Sequence, residues 1–160
     1  SAFFAHVQDR NNQKEIFQQR KTAKETMDIH SQKGFLADII NPKLQFLKKS
    51  NKPFFAFFEQ AHIDKHSHNN DYTKMVDAVY DLDNSVYKII SFANQNPDTT
   101  VIILADHETG GLTEECNFTT TNHTSKDVIL YAYGPEATLF QGEQDNTEIY
   151  KKMYKILFEM

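Results

Sequence analysis

The chain has 160 residues, enough for one domain with a substantial core. Its 17 basic and 22 acidic residues give a formal charge of −5 and a pI near 5.8, which argues against a nucleic-acid backbone as the main partner. One cysteine, Cys116, excludes an internal disulfide and a thiolate zinc knuckle, and no apolar run approaches the roughly 20 residues that span a bilayer.

Hydrophobic residues make up 39% and mean hydropathy is −0.60, so the apolar residues must be concentrated in a few segments. The opening "SAFFAHV" reads as a short strand, and "SAFFAHVQDR" lacks the basic start and long apolar middle of a signal peptide. Residues 8–34 are polar, with too few apolar positions for a core face, and read as a surface helix or excursion. In "FLADIINPKLQFLKK" (35–49), Leu36, Ile39, Ile40, Leu44 and Leu47 recur at helical spacing, with Pro42 expected to kink the helix or open a new one. Residues 1–50 are thus a lead-in segment of surface and helical character, and residues 51–160 carry the stronger pattern.

"PFFAFFE" (53–59) is a continuous apolar run that suits a strand buried on both faces. "DYTKMVDAVYDLDNSVYKIISFANQ" (71–95) reads as a long amphipathic helix capped by Asp71 and stopped before Pro97. Its expected core face is Met75, Val79, Leu82, Val86, Ile89, Ile90 and Ala93. "TTVIILA" (99–105) and "DVILYAY" (127–133) are two further strands. "NTEIYKKMYKILFEM" (146–160) is a closing helix, capped by Asn146 or Thr147, with Ile149, Met153, Ile156 and Leu157 toward the core. This order predicts an α/β layered sandwich, a central mostly parallel sheet flanked by helices. Such sheets collect ligands beyond the carboxyl ends of their strands.

The metal-binding residue types gather near those strand ends. Asp64 and His68 are four apart and share one face if the chain turns helical there. Asp106 and His107 are adjacent, and converge only on an irregular turn such as one following a strand. Imidazole and carboxylate without thiolate suit zinc, manganese or cobalt, whereas an all-oxygen site around Glu59 suits magnesium. Two such cations about 4 Å apart stabilise both the attacking and the leaving oxygen of a displacement at phosphorus. Each pair taken alone is more often a surface ion pair or a capped turn. With His123 in "NHTSKD" (122–127), which leads into the third strand, three such groups lie near three strand ends and weigh against that reading.

"EQAHIDKHSHNND", "VIILADHETGGL" and "FTTTNHTSKDVILYAYGPEATLFQG", in this order, resemble the C-terminal part of alkaline phosphatase. The resemblance implies a phosphomonoesterase with two zinc ions and one magnesium ion. It implies that Asp64, His68 and His123 hold the first zinc, that Asp106 and His107 belong to the second, and that Glu59 is a magnesium ligand. Lys65 stands where some members carry a lysine that contacts phosphate, and His62 and His66 acquire no role. The resemblance further implies small phosphomonoester substrates, no nucleic-acid or membrane partner, a homodimer, and a periplasmic or secreted home.

The chain departs from the family pattern at Gln60 and Ser125, where glycine is usual. A larger departure is the nucleophilic serine, which the family places upstream in an Asp-Ser setting that occurs nowhere in this sequence. Ser67 and Ser125 lie nearest the ligands, yet neither is in that setting. No catalytic nucleophile is therefore assigned within this chain, and the sequence reads as an incomplete C-terminal portion. Two alternatives stay open: a relative acting on phosphodiesters, phosphonates or sulfate esters, and a non-catalytic metal-binding module.

Overall fold

Leu36, Ile40 and Leu44 follow one another at four-residue steps, and these residues wind the first helix against the core. In the computed structural model, which describes residues 2–6 and 36–159, this is α1 (Leu36–Lys49). The predicted surface helix or excursion at 8–34 lies outside the described residues. Pro42 sits inside α1 without ending it. Its ring removes the hydrogen bond to the Asp38 carbonyl, and both residues are exposed, so that carbonyl is left accessible to solvent.

The remaining elements are β1 (Ala2–His6), β2 (Phe55–Glu59), α2 (His62–His68), α3 (Tyr72–Asn94), β3 (Thr100–Leu104), β4 (Glu108–Thr109), β5 (His123–Thr124) and β6 (Leu130–Tyr133). A 3-10 turn (Ala137–Phe140) and α4 (Asn146–Phe158) follow. The main sheet has the order β2-β1-β3-β6, and β4 pairs with β5 in a small sheet of their own.

The α/β character holds, but the sheet is not mostly parallel as expected. β2 and β3 run in the same direction, joined through α2 and α3, while β1 lies between them antiparallel to both, with Phe4 opposite Phe57 and Ile102. β6 is antiparallel to β3, with Ala132 opposite Ile102. The reversed β1 between two co-directional strands, together with the reversed β6 at the edge, makes every pairing in this sheet antiparallel.

β2 is also not buried on both faces. Ala56 and Phe58 are buried, whereas Phe55 and Phe57 on the opposite face are only half-buried. The core forms where α1 and α3 lie on the Ala56–Phe58 side, joining Leu36, Ile40, Leu44, Phe54, Ile89, Phe92 and Val101. Burying each large aliphatic side chain there contributes roughly 1.5–3 kcal/mol.

Asp71 caps α3 as predicted, accepting a 3.1 Å bond from the Lys74 amide. The buried stripe is shifted from the predicted one. Val79 is 42% exposed, while the polar Asp81 and Ser85 are buried. Asp81 is tolerated because its carboxylate accepts from the Leu36 amide at 2.8 Å, the Ala37 amide at 3.0 Å, and the Gln60 side chain. A residue of α3 thereby caps α1 from across the core. Ser85 satisfies its hydroxyl on the Asp81 carbonyl at 2.8 Å.

α4 departs furthest from expectation. Its cap is Asp145, one residue earlier than predicted, accepting from the Thr147 amide at 2.9 Å. Ile149, Met153, Ile156 and Leu157 are half-buried, and no residue of α4 is buried. Among the described residues no helix is long and apolar enough to cross a membrane.

Candidate metal centre

Gln60 and Ala61 alone separate β2 from α2, so α2 begins at the strand's carboxyl end. The Gln60 side chain fixes that start: its Oε1 accepts from the His62 amide at 3.0 Å while its amide group donates to Asp81. α2 is helical as the Asp64–His68 spacing requires, and His68 Nε2 lies 3.3 Å from Asp64 Oδ1. The other ring nitrogen, Nδ1, donates to the Thr121 carbonyl at 2.5 Å, leaving Nε2 with its lone pair toward Asp64.

β4 and β5 bring the other histidines. Glu108 pairs with Thr124 and Thr109 with His123, so the segment after β3 and the segment before β6 lie side by side. The Glu108 carboxylate holds that pairing, accepting from the Gly111 amide at 3.0 Å and from the Thr124 hydroxyl. Gly110 is required by its backbone: φ is +92°, its amide donates to the Asn122 carbonyl at 3.0 Å, and its carbonyl accepts from the Thr119 amide at 3.0 Å. These bonds return the chain to His123.

His123 Nε2 lies 3.5 Å from Asp64 Oδ1 and 3.1 Å from His68 Nε2. One ligand atom each from Asp64, His68 and His123 fall within 4.8 Å of one another. The His107 ring stacks on His123 at 3.5 Å between centroids, and His107 Nε2 is 3.4 Å from Asp106 Oδ2. The structure thus gathers Asp64, His68, His123 and His107, with the exposed Asp106 at the border. Glu59 ends β2 and is exposed; no hydrogen bond or ion pair joins it to the cluster among the described residues. Lys65 is exposed on α2, one residue beyond Asp64.

The donor set fits a divalent cation of the zinc class. Two imidazole nitrogens and a carboxylate oxygen facing one another are best reconciled by positive charge between them, and nitrogen with oxygen suits zinc. Burial pushes the Asp64 pKa up, but the Thr109 hydrogen bond and the imidazoles of His68, His107 and His123 outweigh burial and hold it below the ordinary value.

His62 and His66 stack at 5.7 Å outside this ligand group. Ser67 is buried and donates to the Ile63 carbonyl at 2.8 Å, which occupies its hydroxyl within α2. Sequence reasoning noted Gln60 only as a departure from the family's glycine and missed Glu108 and Thr109, although all three position the candidate ligands. The only trace of the latter two was their place within "DHETGG".

The sequence profile of the alkaline phosphatase family matches residues 16–118 and 113–158. The chain is 28% identical over 144 residues to the alkaline phosphatase of Escherichia coli (strain K12), covering 74% of this chain and 31% of that protein. Alkaline phosphatase 3 of Bacillus subtilis (strain 168) is 24% identical over 212 residues, covering 82% of this chain and 45% of that protein. The solved alkaline phosphatase of the Antarctic bacterium TAB5 superposes with a TM-score of 0.58 at 29% identity, over 61% of this chain and 33% of that one. A variant of the TAB5 enzyme with Mg bound in its M3 site superposes with a TM-score of 0.57. The chain spans less than half the length of these relatives. With far more than half of its residues inside the family's profile, the chain belongs to the alkaline phosphatase family.

Proposed function

We propose that the protein carrying this chain hydrolyses phosphomonoesters through a phosphoserine intermediate, and that this chain supplies most of its metal ligands but not the serine. The convergence of Asp64, His68 and His123 within 4.8 Å, with His107 stacked against it, carries the proposal. In this reading Asp64, His68 and His123 hold one zinc, Asp106 and His107 contribute to a second, and Glu59 to a magnesium. The cations supply positive charge that makes the attacking oxygen more acidic and stabilises the leaving one.

The chain's own residues prepare that chemistry. Thr121 and Thr109 orient imidazoles through their Nδ1 atoms, and the Glu108 carboxylate keeps the two histidine-bearing segments paired. Lys65, beside Asp64, places a cation where the transferred group's negative charge gathers. The attacking serine comes from a segment outside this sequence. It bonds to phosphorus as the alcohol departs, and water then cleaves the phosphoserine. Among the described residues, Asp106 and His107 line an open cleft of about 1350 Å³, the side on which that serine would approach. By resemblance the protein is an exported homodimer.

The test uses the full-length protein. Zinc and magnesium are expected to co-purify, p-nitrophenyl phosphate to be hydrolysed, and chelation or His123→Ala to abolish both zinc retention at this site and turnover. The 160-residue chain alone is expected to be inactive. Undiminished hydrolysis after complete metal removal, or turnover by the isolated chain, overturns the reading. Preference for a diester or sulfate ester would favour the superfamily alternative.

A further inference from the structure

We propose that Thr109 is a positioning residue that couples the two ligand groups and sets the ring tautomer of His107. This rests on the metal-binding reading above. A threonine hydroxyl has one proton to donate and lone pairs to accept with. The Thr109 hydroxyl lies 2.6 Å from Asp64 Oδ1 and 3.1 Å from His107 Nδ1.

Asp64 carries a carboxylate, which only accepts, so the Thr109 proton points to Asp64. The same hydroxyl oxygen must then accept from His107, which places the imidazole proton on Nδ1. His107 Nε2 is left with its lone pair, facing the Asp106 side at 3.4 Å. One hydroxyl therefore orders a directed chain, from His107 through Thr109 to Asp64.

Thr109 also pairs with His123 across the small sheet. A single residue thus touches one ligand of each proposed ion and fixes the backbone opposite a third. Because the side chain is short, it sets the spacing between the α2 ligands and the ligands between β3 and β4. The Ser67 hydroxyl of α2 is committed to the Ile63 carbonyl and does not share this role.

The experiment compares wild type, Thr109→Val and Thr109→Ser in the full-length protein. Zinc affinity is read by competition with a chromophoric chelator, and site geometry by the visible spectrum of the cobalt-substituted protein. Valine keeps the shape and removes the hydroxyl, and is expected to weaken zinc binding about 10- to 100-fold, as loss of a ligand's hydrogen-bond partner does elsewhere. Serine is expected to restore affinity to within about threefold and to return the cobalt spectrum, since it retains the hydroxyl.

Valine matching wild type overturns the proposal, as does serine binding as weakly as valine, which would assign the effect to the methyl group. Should the valine variant fail to fold, ¹⁵N-histidine NMR of wild type decides: a proton on His107 Nε2 rather than Nδ1 overturns it. Wild type that binds no zinc defeats the metal-binding reading itself, and this inference with it.

Discussion

Asp81→Ala should both destabilise the protein and loosen the metal centre, although Asp81 lies in the core and touches no ligand. Its carboxylate accepts from the Leu36 amide at 2.8 Å, the Ala37 amide at 3.0 Å and the Gln60 side chain, and the residue is only 4% exposed. Removing it strands three donors, each costing about 1–3 kcal/mol when buried and unsatisfied. A water entering the vacated space satisfies one or two of them, so the expected loss is about 3–5 kcal/mol. That is a large fraction of the roughly 5–15 kcal/mol that holds a domain folded.

The second consequence runs through Gln60. Freed from Asp81, its side chain no longer presents Oε1 steadily to the His62 amide, and α2 loses the bond that fixes its first turn. Asp64 and His68 ride on that helix, so zinc affinity should fall about tenfold, at the low end for loss of a supporting contact. The assay is urea unfolding of the metal-free full-length protein, with amide exchange followed at Leu36 and Ala37 and zinc competition measured separately. An Asp81→Ala variant within about 1 kcal/mol of wild type, with unchanged exchange at those two amides, would show that the bonds contribute nothing net.

Gly110→Ala should cost about 1–3 kcal/mol and lower zinc occupancy, because φ is +92° and the added Cβ would lie 2.6 Å from the Phe118 ring. Thermal unfolding with and without zinc checks it, and an unchanged midpoint refutes it. The Lys74 side chain and amide hold the Asp71 carboxyl below the ordinary value of 3.8. The folded pKa lies beneath the unfolded one, so this contribution is present above about pH 4 and is lost as pH falls through the lower folded value. Asp71→Asn should flatten the acid limb of stability in that window, and an unaltered limb in a pH series of melts would exclude Asp71 as a contributor.

The candidate ligands could be picked out because metal chemistry favours few residue types at fixed spacings. Asp64 and His68 needed only a helix turn to share a face, and α2 provides it. His107 could be singled out only by its place after a strand, and its approach to His123 was not readable, since the short pairing of β4 with β5 has two residues per strand and no periodicity. Gln60, Thr109 and Asp81 were illegible for a different reason. A lone polar residue acquires its role from a partner distant in sequence, 21 residues from Gln60 to Asp81 and 45 from Asp64 to Thr109. Asp81 lay outside the predicted apolar stripe of α3, so periodicity gave it no place in the core.

The half-buried face of α4 and the exposed apolar residue beside β6 share one cause under the proposed reading. Ile149 was expected in a core and is half-buried, while Ile129 next to β6 is 67% exposed. Both line the same cleft, and so do Asp106 and His107. Periodicity correctly found the apolar face of α4 but could not say against which surface it closes. A wall laid along this cleft would cover Ile129 and Ile149 together, and would bring its own residues against Asp106 and His107. Under the proposed reading that is where a serine is needed, so the apolar surface left exposed among the described residues and the proposed nucleophile lie on the same side.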